Sequence, residues 1–287
     1  MTTEINRIVD AHVHLWDPAR TDWYPYLSGL RELDMGDISG FCRYFDQKIY
    51  FSESAQWNVQ KFVHVAAATE FVAETMEKDE EAQATGHPDA IIGGVTPGGS
   101  VAAAVDQLDQ QMASSRFRGV RPMGGVAEGG VLRAEILGAL QERGLIFEMM
   151  AHTEELRGAA EALTDWGDLT VVIEHMGWPR SNSDDEFETW KAGMSALASL
   201  GPNIHCKLSG LAMPLGGVEA SVFRRWIEHS LEAFGVDRCF FASNFPPDGA
   251  HATFDDVYTT YAELTSDLDA GSREKLFAAN AERTYRC

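Results

Sequence analysis

Ile8-Val9-Asp10-Ala11-His12-Val13-His14-Leu15 is a mostly apolar stretch near the amino terminus that carries two histidines at its end. It predicts a buried β-strand, in which side chains two residues apart point to the same face. The Cα atoms of His12 and His14 would lie about 6.6 Å apart, and two imidazoles at that separation can converge on one zinc-sized ion. A bare His-X-His can equally hydrogen-bond to nearby backbone, so the interpretation depends on the partners that the rest of the chain supplies.

From residue 61 onward, short apolar segments alternate with amphipathic ones at intervals of about 25–35 residues, the length of a strand–helix unit. We predict strands over residues 8–15, 61–67, 91–95, 117–122, 145–150, 170–175, 203–208 and 238–243. Helices are predicted over residues 73–85, 101–114, 133–143, 153–163, 190–200, 222–234, 254–264 and 272–285. Eight such units favour a single-domain (β/α)8 TIM barrel over residues 1–287, with an open doubly wound sheet as the alternative. No glycine-rich phosphate fingerprint follows the first strand, which counts against the open sheet.

The segment over residues 16–50 interrupts this alternation and is rich in aromatic residues, among them Trp16, Trp23, Tyr24 and Tyr26. Long irregular segments inside compact domains are usually either functional or disordered. So many aromatic residues favour order, and we therefore predict an aromatic-rich insertion after the first strand that caps a pocket.

The charge balance restricts the kinds of partner. The chain has 44 acidic and 23 basic residues, a formal net charge of -21, which repels nucleic acid and anionic membrane surfaces. Its four cysteines show no paired spacing, which favours a reducing compartment over a disulfide framework. No signal-peptide pattern and no apolar run of about 18–20 residues is present, so we predict a soluble, cytoplasmic protein that acts on a small molecule. A homo-oligomeric state stays open.

Polar residues concentrate where the predicted strands end. In a (β/α)8 barrel the carboxyl ends of the strands form the active site, so these side chains are expected to lie at one mouth. Those that we single out are His12, His14, Arg121, Glu148, His175, Lys207, Asn244 and Asp248. Glu148 is either a metal ligand or the buried ion-pair partner of Lys207, whereas His64 and His205 lie within strands and are expected to be structural.

Six short stretches together resemble the amidohydrolase superfamily, in the branch of its family 2 that contains lactone hydrolases. They are Val9-Asp10-Ala11-His12-Val13-His14-Leu15-Trp16-Asp17, Gly119-Val120-Arg121-Pro122, Val172-Ile173-Glu174-His175-Met176-Gly177-Trp178-Pro179, Cys206-Lys207-Leu208-Ser209-Gly210, Phe241-Ala242-Ser243-Asn244-Phe245-Pro246 and Asn280-Ala281-Glu282-Arg283-Thr284-Tyr285. The resemblance implies a barrel hydrolase that opens sugar lactones or lactones of aromatic degradation. It implies a divalent metal, with zinc the preferred ion, held by His12, His14 and His175 with Glu148. The branch also has metal-free members, and in that case the three histidines would hydrogen-bond the substrate carbonyl directly.

Two positions depart from the pattern of this branch. Asn244 stands where the superfamily usually has an aspartate that activates water, and an amide has no basic lone pair at neutral pH. Asp248, four residues on, is the nearest carboxylate that can act as the general base, with Glu148 as the alternative. Trp178 stands where lactonases of this branch have a cation, which favours a more apolar or aromatic substrate.

The leading hypothesis is therefore a hydrolase of a lactone or related cyclic ester. Arg121 and Lys207 would hold a substrate carboxylate or the developing oxyanion. One alternative is a metal-dependent, non-oxidative decarboxylase of a hydroxy-aromatic acid, against which Asn244 counts. The other is a barrel that binds a small ligand without catalysis, which Asn244 alone favours.

Overall fold

Eight parallel strands form a barrel in the computed structural model, which describes residues 5–27, 32–33, 36–37, 40, 42–96, 99–122 and 132–287. The strands, in chain order and in spatial order, are β1 Ile8–Val13, β2 Val59–Val65, β3 Ala90–Gly93, β4 Phe117–Val120, β5 Ile146–Met149, β6 Val171–Ile173, β7 Ile204–Leu208 and β8 Cys239–Phe241. The segment after β8 meets the end of β1, where the backbone N–H of His14 donates to the carbonyl of Phe245 at 2.8 Å. The predicted (β/α)8 barrel is confirmed.

Helices follow the strands around the barrel. They are α1 Gln47–Glu53, α2 Phe71–Thr85, α3 Val101–Gln111, α4 Ala134–Glu142, α5 Leu156–Ala162, α6 Asp184–Ala198, α7 Ala220–Phe234, α8 Phe254–Leu264, α9 Ala270–Glu274 and α10 Asn280–Tyr285. Helix α6 begins six residues before the predicted start, because Ser183 caps it and the first turn carries Asp184, Asp185 and Glu186. A π-helical turn over Lys275–Ala279 joins α9 to α10, where one continuous helix was predicted.

The core has two layers. The larger layer packs the outward faces of the strands against the helices, and the smaller one fills the barrel with Val9, Ala11, Val63, Val65, Ala90, Ile92, Ile146, Val172, Phe240 and Ala242. Tyr285 of α10 belongs to this inner layer and is fully buried. Arg118, near the start of β4, donates to the carbonyl of Tyr285 at 2.6 Å, so α10 lies at the amino-terminal end of the barrel.

The aromatic insertion after β1 is ordered where it is described, although part of the predicted segment lies outside the described residues. Trp16, Tyr24, Phe45 and Tyr50 are buried, and the indole N–H of Trp16 donates to the carbonyl of Arg43 at 2.9 Å. The indole of Trp16 stacks on the ring of His14, with centroids 5.4 Å apart. The insertion thus reaches the carboxyl end of β1, as a cap over that end of the barrel requires.

Within the described part of the chain, no helix is long and apolar enough to cross a membrane.

Candidate active site

An irregular pairing at the end of β1 directs the two histidines into the barrel. Asp10 pairs with Phe62, but the next paired residue, Val13, pairs with His64, so three steps along β1 oppose two along β2. The extra residue is a β-bulge, which changes the face to which the following side chains point. Val9 and Ala11 line the interior, and the bulge places His12 on the same side although it directly follows Ala11. His12 and His14 consequently meet, with their Nε2 atoms 3.0 Å apart.

The second nitrogen of each imidazole also has a partner. Nδ1 of His14 lies 2.7 Å from the carbonyl oxygen of Val65, and because that oxygen can only accept, His14 carries its proton on Nδ1. Nδ1 of His12 lies 3.1 Å from Nζ of Lys207. Burial holds the pKa of both histidines well below the usual value, and nearby cations add to the effect, Lys207 at His12 and Arg121 at both rings. Both imidazoles are therefore neutral, the form that binds a metal.

His175 comes from a strained turn after β6. His175, Met176 and Trp178 all adopt positive φ angles, of 52°, 54° and 31°, a conformation that is rare for residues other than glycine. Its Nδ1 lies 2.9 Å from the hydroxyl of Ser209, and its ring lies 4.6 Å, centroid to centroid, from the ring of His12. The turn thus presents the remaining nitrogen of His175, Nε2, to the site.

Gly210, after β7, gives this ring its space. A methyl group on Gly210 would lie 2.4 Å from Cγ and 2.5 Å from Nδ1 of His175, far inside van der Waals contact. The backbone of Gly210 also has a φ of +71°, which favours glycine. The position of His175 therefore depends on the absence of a side chain here.

Glu174 is the carboxylate that the structure places beside these histidines. Its Oε1 lies 3.5 Å from Nδ1 of His12, and its Oε2 lies 3.8 Å from Nη1 of Arg121. Neither oxygen has a hydrogen-bond partner among the described residues, although the side chain is fully buried. Burial raises the pKa of Glu174 to about 8, and Arg121 opposes the shift.

His12, Glu174 and His175 each offer one ligand atom, and these atoms lie within 4.8 Å of one another. Neutral imidazoles and a carboxylate are ligands that zinc accepts. A buried carboxylate without a donor is costly unless a proton or a cation compensates it. The donor set therefore fits a divalent cation.

Glu148, the predicted fourth ligand, does not join this cluster in the described part of the chain. Its Oε2 accepts a hydrogen bond from Nζ of Lys207 at 2.7 Å, and its Oε1 accepts one from the hydroxyl of Tyr285. All three side chains are fully buried. Glu148 is thus the ion-pair partner of Lys207, the second of the two roles that the sequence left open.

Arg121, at the end of β4, lies beside Glu174 and is 8% exposed. One of its terminal nitrogens donates to the carbonyl of Ala66 at 2.5 Å, and its Nε has no partner among the residues that the structure describes. A guanidinium held in this way has N–H groups that can donate hydrogen bonds to the oxyanion or carboxylate of a bound molecule.

Asn244 and Asp248 lie close together in the segment that follows β8. The Asn244 side-chain amide donates to Oδ1 of Asp248 at 3.0 Å, and its backbone N–H donates to the carbonyl of His12 at 3.0 Å. Burial raises the pKa of Asp248 to about 7, against the opposing effect of Asn244 and the backbone amides of Ala212, Met213 and Gly210. Asn244 thus holds Asp248 and closes the barrel, and Asp248 is a carboxylate that gains and loses a proton near neutral pH.

The profile of the amidohydrolase family matches residues 9–287. The chain belongs to the amidohydrolase family. It is 28% identical to an uncharacterised protein of Sinorhizobium fredii, over 97% of this chain and 98% of that protein. It is 26% identical to an L-fucono-1,5-lactonase of Burkholderia ambifaria, over 97% of this chain and 95% of that enzyme. A crystal structure of a Burkholderia multivorans amidohydrolase with bound zinc has the same fold, with a TM-score of 0.82 and 22% identity over 97% of this chain and 99% of that one.

Membership of the amidohydrolase family supports a hydrolase that acts on a small molecule. Most of the site's side chains were predicted from strand ends, Ser209 after the seventh strand among them, but Glu174 and Tyr285 were missed as site residues. Glu174 directly precedes His175 at the end of a strand, and this placement was a signal that could have identified it. Tyr285 carried no such signal, because it follows the eighth strand by more than forty residues.

Proposed function

We propose that this amidohydrolase opens a lactone or a related cyclic ester. The observation that carries the proposal is the buried carboxylate of Glu174, which lies between His12, His175 and Arg121 and has no hydrogen-bond donor among the residues that the structure describes. Such a cluster combines ligands for a cation with a fixed guanidinium, the two features that stabilise negative charge developing on a carbonyl oxygen.

His12, Glu174 and His175 would hold the ion, with His14 beside them. A bound zinc ion would polarise the substrate carbonyl and lower the pKa of water toward about 7. We propose zinc because a zinc-bound amidohydrolase has this fold and because the donor set is nitrogen-rich.

Asp248 is the general base of the proposal. With a pKa of about 7, it is partly ionised at neutral pH and is basic enough to accept a proton from water. The water oxygen bonds to the carbonyl carbon, and the bond to the ring oxygen then breaks. The proton returns to that oxygen, and the product is a hydroxy acid.

Arg121 would contact the oxyanion or a carboxylate of the substrate, since its Nε lacks a partner among the described residues. Lys207 is placed differently, because two of its three N–H groups already face Glu148 and His12. It would act on the substrate through its positive charge and through the orientation of His12.

Aromatic rings flank the cluster and support a ring-shaped substrate. The indole of Trp178 lies 5.5 Å from the ring of His175 and stacks on His152, with an interplanar angle of 18°. The indole of Trp16 stacks on the ring of His14, which lies beside the cluster. Flat, apolar surfaces of this kind favour a lactone with apolar or unsaturated substituents.

The test is a panel of lactones that includes fuconolactone, simple aliphatic lactones and unsaturated lactones, assayed by proton release with and without added zinc. The proposal predicts zinc-stimulated hydrolysis that is lost in Glu174→Gln and retained in Glu188→Gln, an exposed carboxylate of α6. Hydroxybenzoates are tested in parallel, and release of carbon dioxide from them without any lactone hydrolysis would replace this proposal with the decarboxylase alternative.

A further inference from the structure

A second cleft lies at the amino-terminal end of the barrel, opposite the mouth that holds His12. It encloses about 490 Å³, which falls within the range of roughly 300–1,000 Å³ that is typical of small-molecule sites. Thr170, Asn203 and Arg238, which directly precede β6, β7 and β8, line it together with Thr284 of α10. A molecule bound in this cleft would therefore be separate from the proposed metal ligands at the carboxyl ends of the strands.

The charge of this cleft is opposite to that of the chain as a whole. Arg238, Arg283 and Arg286 line it, against a single carboxylate, that of Asp237. This carboxylate already forms an ion pair with Nζ of Lys275 at 2.6 Å. In the part of the chain that the structure describes, none of the three arginines forms an ion pair with a carboxylate. In a protein with a net charge of -21, the cleft is thus a local region that attracts anions.

Two of the arginines have N–H groups to offer a ligand. Arg238 donates from all three of its nitrogens to backbone carbonyl groups, so it contributes charge alone. Arg283 donates one hydrogen bond, to the carbonyl of Asp237 at 2.7 Å, and Arg286 donates one to the carbonyl of Gly144 at 3.0 Å. Because a guanidinium carries five N–H groups in a planar fork, each of these two exposed side chains can also bind an oxyanion.

The inner wall of the cleft carries two polar atoms without a partner. The hydroxyl of Thr284, a side chain only 8% exposed, has no hydrogen-bond partner among the described residues, and neither has Nδ1 of His205. Burial, together with the charges of Arg283 and Arg238, lowers the pKa of His205 to about 4, so its ring is neutral. Buried polar groups without partners are costly, and both of these groups can donate to an oxygen atom.

We propose that this cleft binds a small molecule that carries a phosphate or a carboxylate group. Arg283 and Arg286 hold the anionic group from the open side through charge-assisted hydrogen bonds. The hydroxyl of Thr284 and the imidazole of His205 donate from the inner wall. The buried charge of Arg238 adds attraction without contact.

The experiment is a calorimetric titration of the full-length protein with inorganic phosphate and, separately, with citrate. The wild-type protein is expected to bind at least one of them, and tighter binding of phosphate or of citrate identifies the anionic group that the cleft prefers. Arg283→Gln and Arg286→Gln should each weaken binding by at least about tenfold, and Thr284→Val should weaken it as well. The matched control is Arg224→Gln, which removes an exposed arginine that pairs with Glu228 on α7 and should leave the affinity unchanged.

Arg121→Gln separates this cleft from the mouth of the barrel, where Arg121 is the guanidinium beside Glu174. Binding that persists in Arg121→Gln and is lost when Arg283→Gln is added to it would support the proposal. The absence of binding of both anions to the wild type would overturn it, as would wild-type affinity in Arg283→Gln or a loss of all binding in Arg121→Gln alone. None of these measurements depends on lactone hydrolysis, so the failure of either proposal would be distinguishable from the failure of the other.

Discussion

Replacing Gly210 by alanine would place a methyl group against the ring of His175. The new carbon would lie 2.4 Å from Cγ of the imidazole, whereas ordinary contact between carbon atoms begins at about 3.5 Å. The ring would have to move by about 1 Å, which would also break its 2.9 Å contact with Ser209. A displacement of about 1 Å at a catalytic group can reduce the rate about 100-fold.

A second effect of the same substitution is backbone strain. Alanine at a φ of +71° costs about 1–2 kcal/mol, and this strain alone would lower stability without moving His175. Gly216→Ala provides the matched control, because Gly216 has a φ of +72° and a methyl group there would meet nothing within 4 Å among the described residues. The difference between the two variants isolates the contact with His175.

The assay is kcat/KM on a lactone that the wild-type enzyme hydrolyses, together with zinc titration and urea unfolding of both variants. Gly210→Ala should lose about 100-fold in kcat/KM and bind zinc more weakly, whereas Gly216→Ala should lose only stability. Equal activities in the two variants, or wild-type zinc affinity in Gly210→Ala, would refute the assigned role of His175.

Three further predictions follow from the buried charges. Glu174→Gln should weaken zinc binding by at least about tenfold in a calorimetric titration, and an affinity equal to that of Glu188→Gln would exclude Glu174 as a ligand. Lys207→Met should lower the free energy of unfolding, measured by urea denaturation, by about 3–5 kcal/mol, because Glu148 would lose its buried partner. The control is Lys61→Met, which removes a partly exposed ion pair and should lower the free energy of unfolding by less than about 1 kcal/mol. For Asp248, the pKa of about 7 in the folded protein lies above the usual 3.8, so its carboxyl stabilises the fold most at low pH and that contribution is lost as the pH rises toward 7. Melting temperatures of the wild type should therefore fall relative to Asp248→Asn between pH 4 and pH 7, and parallel curves would contradict the raised pKa.

Much of the site was predictable because a parallel barrel brings the carboxyl ends of all its strands to one mouth. His12, His14, Arg121 and His175 could be placed there from strand ends alone, and the structure brings them together. Lys207 was expected either to face the substrate or to pair with Glu148, and it pairs with Glu148. The roles of Asp248 and Asn244 in catalysis stay predictions.

The sequence by itself determined the barrel, since apolar strands recurring at the spacing of strand–helix units can bury their surfaces in few other ways. It also determined that His12 and His14 share a face, since they are two residues apart on one strand. Whether this shared face is the barrel interior depended on a β-bulge in the pairing of β1 with β2. Such a bulge forms only when two strands pair.

The tertiary structure likewise decided between the two glutamates. Glu148 is bound by Tyr285, 137 residues away in the chain, and by Lys207, 59 residues away, whereas Glu174 lies without a donor beside His12 among the described residues. A buried carboxylate takes whichever donor or cation lies near it, and that neighbour is set by distances across the fold rather than along the chain.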